Sequence, residues 1–209
     1  MKTLSGGLRS SVKPCGAIHG PHEQRALQME NLLHGAIKRN PHRNSLRLNI
    51  GDVAVSREPV VLDTLLGSCV TVCLHDPVLG AGGMNHILLP TCPGGESSSR
   101  CGARAMKSLI EQLMELGCDR RRLVAKAFGG GNMLKGINIP PIGEKNAWFV
   151  REFLAADKIP LIAERFGGIH AVHVYFRTDT GKVTVQTIDG SALPKIIEEE
   201  LSCWNTHGV

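Results

Sequence analysis

The chain has 209 residues, 42% of them hydrophobic, so it is long enough to bury a sizeable core, and we expect one folded domain with an appendage. No apolar run approaches the roughly 20 residues that cross a bilayer, and no signal-peptide pattern follows the first lysine, which argues against membrane insertion and predicts a cytoplasmic protein. The net charge of +5 arises in the first 47 residues, which contain eight Lys or Arg and two Glu. The seven cysteines lack the dense spacing of a disulfide-rich secreted module, which predicts reduced thiols.

The basic segment at the start of the chain is predicted to be a flexible extension, residues 1–46, ahead of a folded domain, residues 47–209. Apolar residues recur there at helical spacing before Asn40-Pro41, which predicts a short amphipathic helix that docks on the domain. The segment has neither interleaved aromatic residues nor a nucleic-acid-reading motif, so we predict no nucleic-acid partner.

Short β-like runs separated by turn residues dominate the chain from Arg47 onward. Two stretches have helical periodicity instead. The first follows Ser97-Ser98-Ser99, which offer N-caps, and ends at Gly117; the second covers about Glu144 to Asp157. A late hairpin is predicted over residues 178–181. This pattern predicts an α+β fold, a layered sandwich of mixed β-sheet packed with helices. The β-like runs are LRLNIGDVAVS, PVVLDTLLGS, CVTVCL, MNHILL, RRLVAKAF, LIAERF, IHAVHVYFRT and KVTVQTI.

A cysteine and a histidine occur in two neighbouring runs, in the segment LGSCVTVCLHDPVLGAGGMNHILLP. If these runs form an antiparallel hairpin with a turn centred between Pro77 and Val78, Cys69 lies directly opposite His86. Opposed side chains share a face with Cβ atoms about 4.5–5.5 Å apart. This register therefore predicts that an imidazole approaches a thiol.

Such a pair is suited to nucleophilic catalysis, because a nearby imidazolium can lower the pKa of the Cys69 thiol and keep it as a thiolate ready to attack a carbonyl carbon. The backbone N–H groups near Gly67-Ser68 are then candidates for stabilising an oxyanion. Buried cysteines and hydrogen-bonded core histidines are nevertheless common, so a purely structural pair is the alternative interpretation. Zinc binding by Cys69, Cys73 and His75 is disfavoured, because the two cysteines would lie about 13 Å apart along a strand. We predict no metal site.

The motifs of this segment resemble those of a known family. TLLGSCVTVCLHDP followed by GGMNHILLP closely resembles the signature of the CheD chemoreceptor glutamine deamidases, in which the cysteine and the histidine are the catalytic pair. AKAFGGGNML, GINIPPIGEKNAWFVREFL and the closing hairpin continue the resemblance, which covers roughly residues 47–190. It implies a CheD-type cysteine hydrolase fold.

The resemblance also implies a function: deamidation of glutamine side chains on methyl-accepting chemotaxis receptors, without a cofactor, and binding of a chemotaxis phosphatase. Cys69 would be the nucleophile and His86 the general acid and base. Family members use a threonine just upstream of the cysteine as a third active-site residue. Thr64 is the nearest candidate, and Asp63 is the alternative for that position.

Two other functions are compatible with the same residues. Another cysteine acyl-transfer enzyme, such as a protease or a transglutaminase, would use the same thiol and imidazole. A non-catalytic chemotaxis adaptor would bind a receptor or a phosphatase without turning over a substrate. The presence of both Cys69 and His86 favours an active enzyme.

Overall fold

Nine strands, two α-helices and a short 3-10 helix (Arg120–Arg122) occur in the part of the chain that this computed structural model describes, which comprises residues 45–90, 101–132 and 142–188 together with Glu198 and Ser202. The helix predicted before Asn40 lies outside these residues, and the division at residue 46 stays a prediction. The strands are β1 (Ser45–Arg47), β2 (Val53–Ser56), β3 (Val61–Leu66), β4 (Val70–Asp76), β5 (Ala81–Asn85), β6 (Val124–Gly129), β7 (Leu161–Phe166), β8 (Val172–Arg177) and β9 (Val183–Thr187); the helices are α1 (Gly102–Glu115) and α2 (Ile142–Ala156).

The strands form two sheets. The four-stranded sheet has the order β1-β3-β8-β9, and the five-stranded sheet has the order β2-β5-β4-β6-β7. Both are mixed, because β1 runs parallel to β3 and β6 runs parallel to β7, whereas the other pairs are antiparallel. The β8–β9 hairpin is the one predicted over residues 178–181. The predicted α+β class with mixed sheets is therefore confirmed.

Two apolar layers hold these elements together. One, which we call the inter-sheet layer, joins side chains of the two sheets and includes Leu62, Leu66, Cys69, Met84 and Phe176. The other joins the opposite face of the five-stranded sheet to the helices. Alternate side chains of β4 enter different layers, as the two-residue period of a strand requires. Every residue of β4 is consequently buried.

Both predicted helices form, and each buries its apolar face. Helix α1 buries Met106, Leu109 and Leu113, and Gly117 follows it with a φ of 92°, a backbone conformation that glycine adopts at little cost. The residue at its N-cap position is Cys101, so the prediction that the serine run caps this helix is wrong. The cap makes no side-chain hydrogen bond, and α1 therefore depends on packing of its apolar face.

The β4–β5 hairpin forms, but its register differs from the prediction. Asp76 pairs with Ala81, and Val70 is bridged to Ile87, which centres the turn one residue later than expected. Cys69 and His86 are therefore diagonal to each other, not directly opposite. Since the shift moves each partner by two residues, both side chains keep the face that the sequence predicted.

Asp76 is the physical reason for this register. Its Oδ1 accepts hydrogen bonds from the backbone N–H groups of Val78 and Leu79, at 3.0 and 3.2 Å. The backbone N–H of Gly80 donates to the Asp76 carbonyl oxygen at 2.9 Å. A turn of four residues results, with Gly80 at a φ of 67°. The aspartate side chain thus determines the length of the turn. The predicted hairpin was centred by symmetry and did not take these side-chain hydrogen bonds into account.

One of the cysteines that the structure describes differs from expectation. Cys101 is disulfide-bonded, so the prediction that all seven cysteines are reduced is wrong there. Cys69, Cys73 and Cys118 are reduced, and all three are buried. None of the described helices has the length and apolar content that a bilayer-spanning helix needs.

Candidate active site

Cys69 lies where the chain crosses from one sheet to the other. Strand β3 ends at Leu66 in the four-stranded sheet, and β4 begins at Val70 in the five-stranded sheet, so the short segment 67–69 connects the two. The side chain of Cys69 packs in the inter-sheet layer and is only 1% exposed. The candidate nucleophile therefore lies between the sheets, in a three-residue connection from one to the other.

His86 follows the end of β5 and is anchored through its backbone and its ring. Its backbone N–H donates to the Asp52 carbonyl oxygen at 3.0 Å, and its own carbonyl oxygen accepts from Gly51 N–H at 2.9 Å. The ring Nδ1 lies 2.8 Å from Thr64 Oγ1. Thr64 is in β3, so this hydrogen bond joins the two sheets across the layer that contains Cys69.

The hydrogen bonds around Thr64 assign the ring tautomer. The single hydroxyl hydrogen of Thr64 is donated to the Leu48 carbonyl oxygen at 2.9 Å, so the hydroxyl oxygen accepts from the ring, and Nδ1 of His86 carries the hydrogen. Nε2 then carries the lone pair. Within the described part of the chain, Nε2 is buried and has no hydrogen-bond partner. The imidazole is thus oriented with its basic nitrogen unoccupied, and no hydrogen bond joins that nitrogen to the Cys69 thiol.

Burial lowers the pKa of His86 to about 4, because the charged imidazolium loses its hydration, and the backbone carbonyl of Leu48 offsets this only in part. At neutral pH the ring is therefore uncharged. A neutral imidazole cannot stabilise a preformed thiolate as an ion pair, but it is suited to remove a proton from a thiol during attack.

The depressed pKa of His86 predicts a pH-dependent stability. The unfolded chain takes up the proton near pH 6.5 and the folded chain only near pH 4, so the free energy of unfolding should fall by about 3 kcal/mol as the pH drops through this window. Urea unfolding at pH values from 7.5 to 4.5 measures this fall in the free energy of unfolding. His86→Gln should flatten the curve, whereas His170→Gln, at an exposed loop position, should leave its slope unchanged. Parallel curves for wild type and His86→Gln would contradict the assignment.

A run of three glycines packs against the backbone around Cys69. Gly130 N–H donates to the Cys69 carbonyl oxygen, and Gly131 N–H donates to the Gly67 carbonyl oxygen, both at 2.7 Å. Gly129 has a φ of 107°, and a Cβ placed there would collide with the Cys69 carbonyl oxygen. These glycines therefore allow a close backbone approach beside Cys69. They hold the carbonyl side of the Cys69 backbone and leave the thiol in the inter-sheet layer.

The structure separates the two candidates for the third position. Thr64 contacts His86, whereas Asp63 projects to the opposite face of β3 and contacts Arg47 and His173, each at 2.6 Å from its Oδ2. Although burial opposes it, these hydrogen bonds and charges hold the pKa of Asp63 below its usual value. Tyr175 extends the network by a 2.8 Å hydrogen bond to the other ring nitrogen of His173. Asp63 therefore stabilises the four-stranded sheet and does not orient His86.

Cys73, which lies within β4, is in a different situation from Cys69. Burial raises the pKa of the Cys73 thiol well above its usual value, which keeps that thiol protonated. His75, the third residue of the disfavoured zinc site, contacts the Asp179 carbonyl oxygen at 3.2 Å. Among the residues that the structure describes, no group of three His, Cys, Asp or Glu side chains is arranged to bind a metal ion.

Sequence reasoning missed one side chain near the site. Asn146 of α2 is fully buried, and its Nδ2 donates to the carbonyl oxygens of Ser68 and Leu88, at 3.2 and 2.9 Å. The sequence signal was a polar amide on the apolar face of α2, one residue before the buried Ala147. A polar residue at a core position of an amphipathic helix predicts a buried hydrogen bond, but it does not identify the partner.

Comparison with known proteins gives consistent similarities. A family model described as CheD chemotactic sensory transduction matches residues 88–187, a stretch that begins after Cys69 and His86. A Stenotrophomonas maltophilia protein named "Probable chemoreceptor glutamine deamidase CheD" is 48% identical over 132 residues, which cover 63% of this chain and 67% of that protein. A Xanthomonas campestris protein of the same name has the same identity and coverage. A Shewanella oneidensis protein, "Probable chemoreceptor glutamine deamidase CheD 1", is 44% identical over 155 residues, or 72% of this chain and 75% of that protein.

Proposed function

Because this chain belongs to the CheD family, we propose that it is a protein-glutamine amidohydrolase that converts glutamine side chains of chemoreceptors to glutamate and releases ammonia. The names of its relatives support the reaction and the substrate. The observation that carries the assignment of residues is the Thr64–His86 hydrogen bond, which orients an unprotonated ring nitrogen in the layer that contains Cys69.

The reaction follows from these groups. His86 Nε2 accepts the thiol proton of Cys69 while the sulfur attacks the carboxamide carbon of the substrate glutamine. The C–N bond then breaks, and the imidazolium returns the proton to the departing ammonia, which leaves a thioester. A water molecule, deprotonated by the same nitrogen, hydrolyses the thioester to glutamate and regenerates the thiol. No redox step or cofactor enters this balance.

Thr64 acts in this scheme as a positioning residue. Its hydroxyl accepts the Nδ1 hydrogen and thereby keeps the lone pair on Nε2, and it stabilises the imidazolium that forms transiently. Burial opposes that charge, so the ring protonates only during the reaction and returns its proton readily.

The buried state of the pair constrains how the substrate binds. Cys69 is 1% exposed and His86 is 4% exposed, so a glutamine side chain of another protein reaches them only after local movement. We propose that receptor binding causes this movement. Exclusion of water around the thiol also limits unproductive reactions of the nucleophile.

Mass spectrometry of a receptor signalling domain incubated with the full chain tests the proposal. We expect Gln-to-Glu conversion at specific positions, together with free ammonia and incorporation of one heavy oxygen per site from labelled water. Incorporation of an added primary amine in place of the heavy oxygen would indicate a transglutaminase, and peptide cleavage would indicate a protease. Receptor binding with no covalent change would favour a non-catalytic adaptor and would contradict the proposal.

A chemotaxis phosphatase as a second partner and the cytoplasm as the location of the reaction remain predictions from the sequence. A pull-down with the purified phosphatase, using wild type and Cys69→Ala, would test the first of them independently of catalysis.

A further inference from the structure

Asn146 connects the two backbone segments that contain the proposed catalytic pair. One of the carbonyls that it contacts belongs to Ser68, directly before Cys69. The other belongs to Leu88, two residues after His86. A single side-chain amide on α2 therefore links the segment of the nucleophile to the segment of the base.

These contacts occur where the regular ladder between the two segments ends. Val70 and Ile87 exchange both of their backbone hydrogen bonds, at 3.0 and 2.8 Å, and in the same register Cys69 lies opposite Leu88. Strand β4 begins at Val70, so Cys69 is already outside it. Beyond the Val70–Ile87 pair, the Asn146 amide joins the two segments, so the separation of Cys69 from the His86 segment depends on this side chain.

The chemistry of the contacts determines how the amide is oriented. Both partners are carbonyl oxygens, which only accept hydrogen bonds, so Nδ2 must face them. The Oδ1 of Asn146 is then buried with no partner among the residues that the structure describes. An unpaired buried acceptor costs about 1–3 kcal/mol. A side chain that served packing alone would avoid this cost.

A close contact at the start of α2 determines where Asn146 lies. A Cβ at Gly143 would collide with the Gly130 carbonyl oxygen and would lie 2.9 Å from the Gly131 carbonyl oxygen. The helix therefore approaches the glycine run that hydrogen-bonds to Gly67 and Cys69. Glycine on both sides of the contact lets α2 come near enough for Asn146 to reach the two carbonyls.

We propose that Asn146 is a positioning residue that sets the distance and orientation of Cys69 relative to His86 for the deamidation reaction. This inference rests on the function proposed above. It predicts that loss of the amide lowers kcat much more than it raises KM, because misplacement of reacting groups by about 1 Å costs up to about 100-fold in rate while receptor contacts remain.

Asn146→Leu is the decisive variant, because leucine has the same branched arrangement of four side-chain heavy atoms and removes the donors together with the unpaired acceptor. We expect kcat for receptor deamidation to fall about 10- to 100-fold, with KM within about twofold of wild type. Alkylation of Cys69 by iodoacetamide near neutral pH, measured without receptor, should slow as well. This second readout is independent of the substrate, so a failure of the deamidase assignment leaves it interpretable.

Thr178→Val is the matched control. Thr178 is fully buried, and its hydroxyl donates to the Glu58 carbonyl oxygen at 2.7 Å and accepts from Val60 N–H at 3.0 Å. These contacts lie at the end of β3 opposite to Cys69. We expect this variant to lose stability comparably while its kcat and its Cys69 alkylation rate stay at wild-type values.

Each outcome decides the inference. A wild-type kcat and alkylation rate in Asn146→Leu would overturn it, and so would equal losses of kcat in Asn146→Leu and Thr178→Val. If the leucine variant does not fold, Asn146→Ser, which keeps one shorter donor, replaces it. An intermediate kcat with unchanged KM would then support the proposal, and wild-type kcat would refute it. If the wild type itself shows no deamidation, the proposed function fails, and the alkylation rates alone decide whether Asn146 positions the thiol.

Discussion

Replacement of Cys69 by alanine is expected to reduce receptor deamidation by at least about a thousandfold, because the sulfur forms the covalent bond of the proposed thioester. Cys69→Ser should be similarly inactive, since its hydroxyl is a much weaker nucleophile in the same place. The initial rate of Gln-to-Glu conversion, followed by mass spectrometry, measures the effect. Circular dichroism at matched concentration establishes that the variants are folded.

Cys73→Ala is the control for this experiment. Cys73 lies four residues further along, faces the same inter-sheet layer and is as buried as Cys69, each with 1% exposure. Burial raises its pKa, so its thiol should be inert, and the alanine variant should retain wild-type activity within about twofold. Full activity in Cys69→Ala, or its loss only in Cys73→Ala, would refute the assignment of the nucleophile.

Removal of the Asp76 carboxylate is expected to cost about 3–5 kcal/mol of unfolding free energy. Asp76 is fully buried, and it accepts hydrogen bonds from Arg122 at distances down to 2.7 Å. It also accepts from the backbone N–H groups of Val78, Leu79 and Asp119. The Arg122 guanidinium, assisted by these N–H groups, keeps the pKa of Asp76 far below its usual value. Asp76→Ala leaves all of these donors without their acceptor, and urea unfolding at neutral pH measures the loss.

Glu164→Ala is the control that shows whether the loss of stability in Asp76→Ala comes from burial of the carboxylate or from ion pairing alone. Glu164 also accepts two hydrogen bonds from one arginine, Arg151, at 2.9 and 2.7 Å, but both side chains are exposed. Its removal should cost less than about 1 kcal/mol. If Asp76→Ala fails to fold, Asp76→Asn, which keeps one carbonyl acceptor, should give a smaller, measurable loss. Equal costs for Asp76→Ala and Glu164→Ala would contradict the role of the buried carboxylate.

The β4–β5 hairpin shows what a local sequence pattern predicts and what it leaves open. Apolar alternation and a glycine-rich turn were enough to predict both strands and the common face of Cys69 and His86. The register was wrong by two residues, because the Asp76 side chain builds the turn and accepts from residues far away in sequence. A turn centred by side-chain hydrogen bonds cannot be located by symmetry alone.

The third active-site position also depends on contacts that a local sequence pattern does not reveal. The sequence left Thr64 and Asp63 as alternatives. Neighbouring side chains of a strand point to opposite faces, and the sequence does not say which face is turned toward the active site. The structure places Thr64 against His86 and Asp63 against Arg47 and His173. Which face of β3 turns toward the second sheet depends on packing between the sheets, and one strand's sequence does not contain that information.

Local patterning by itself determined the secondary elements, the α+β class and the family of this protein, because strand and helix periodicity and short motifs are properties of contiguous residues. Only the tertiary structure decided the tautomer of His86, its uncharged state at neutral pH, the burial of Cys69 and the part played by Asn146. Each of these depends on groups distant in the chain that meet in a medium without water, where one hydrogen bond or its absence changes the charge that a side chain can carry.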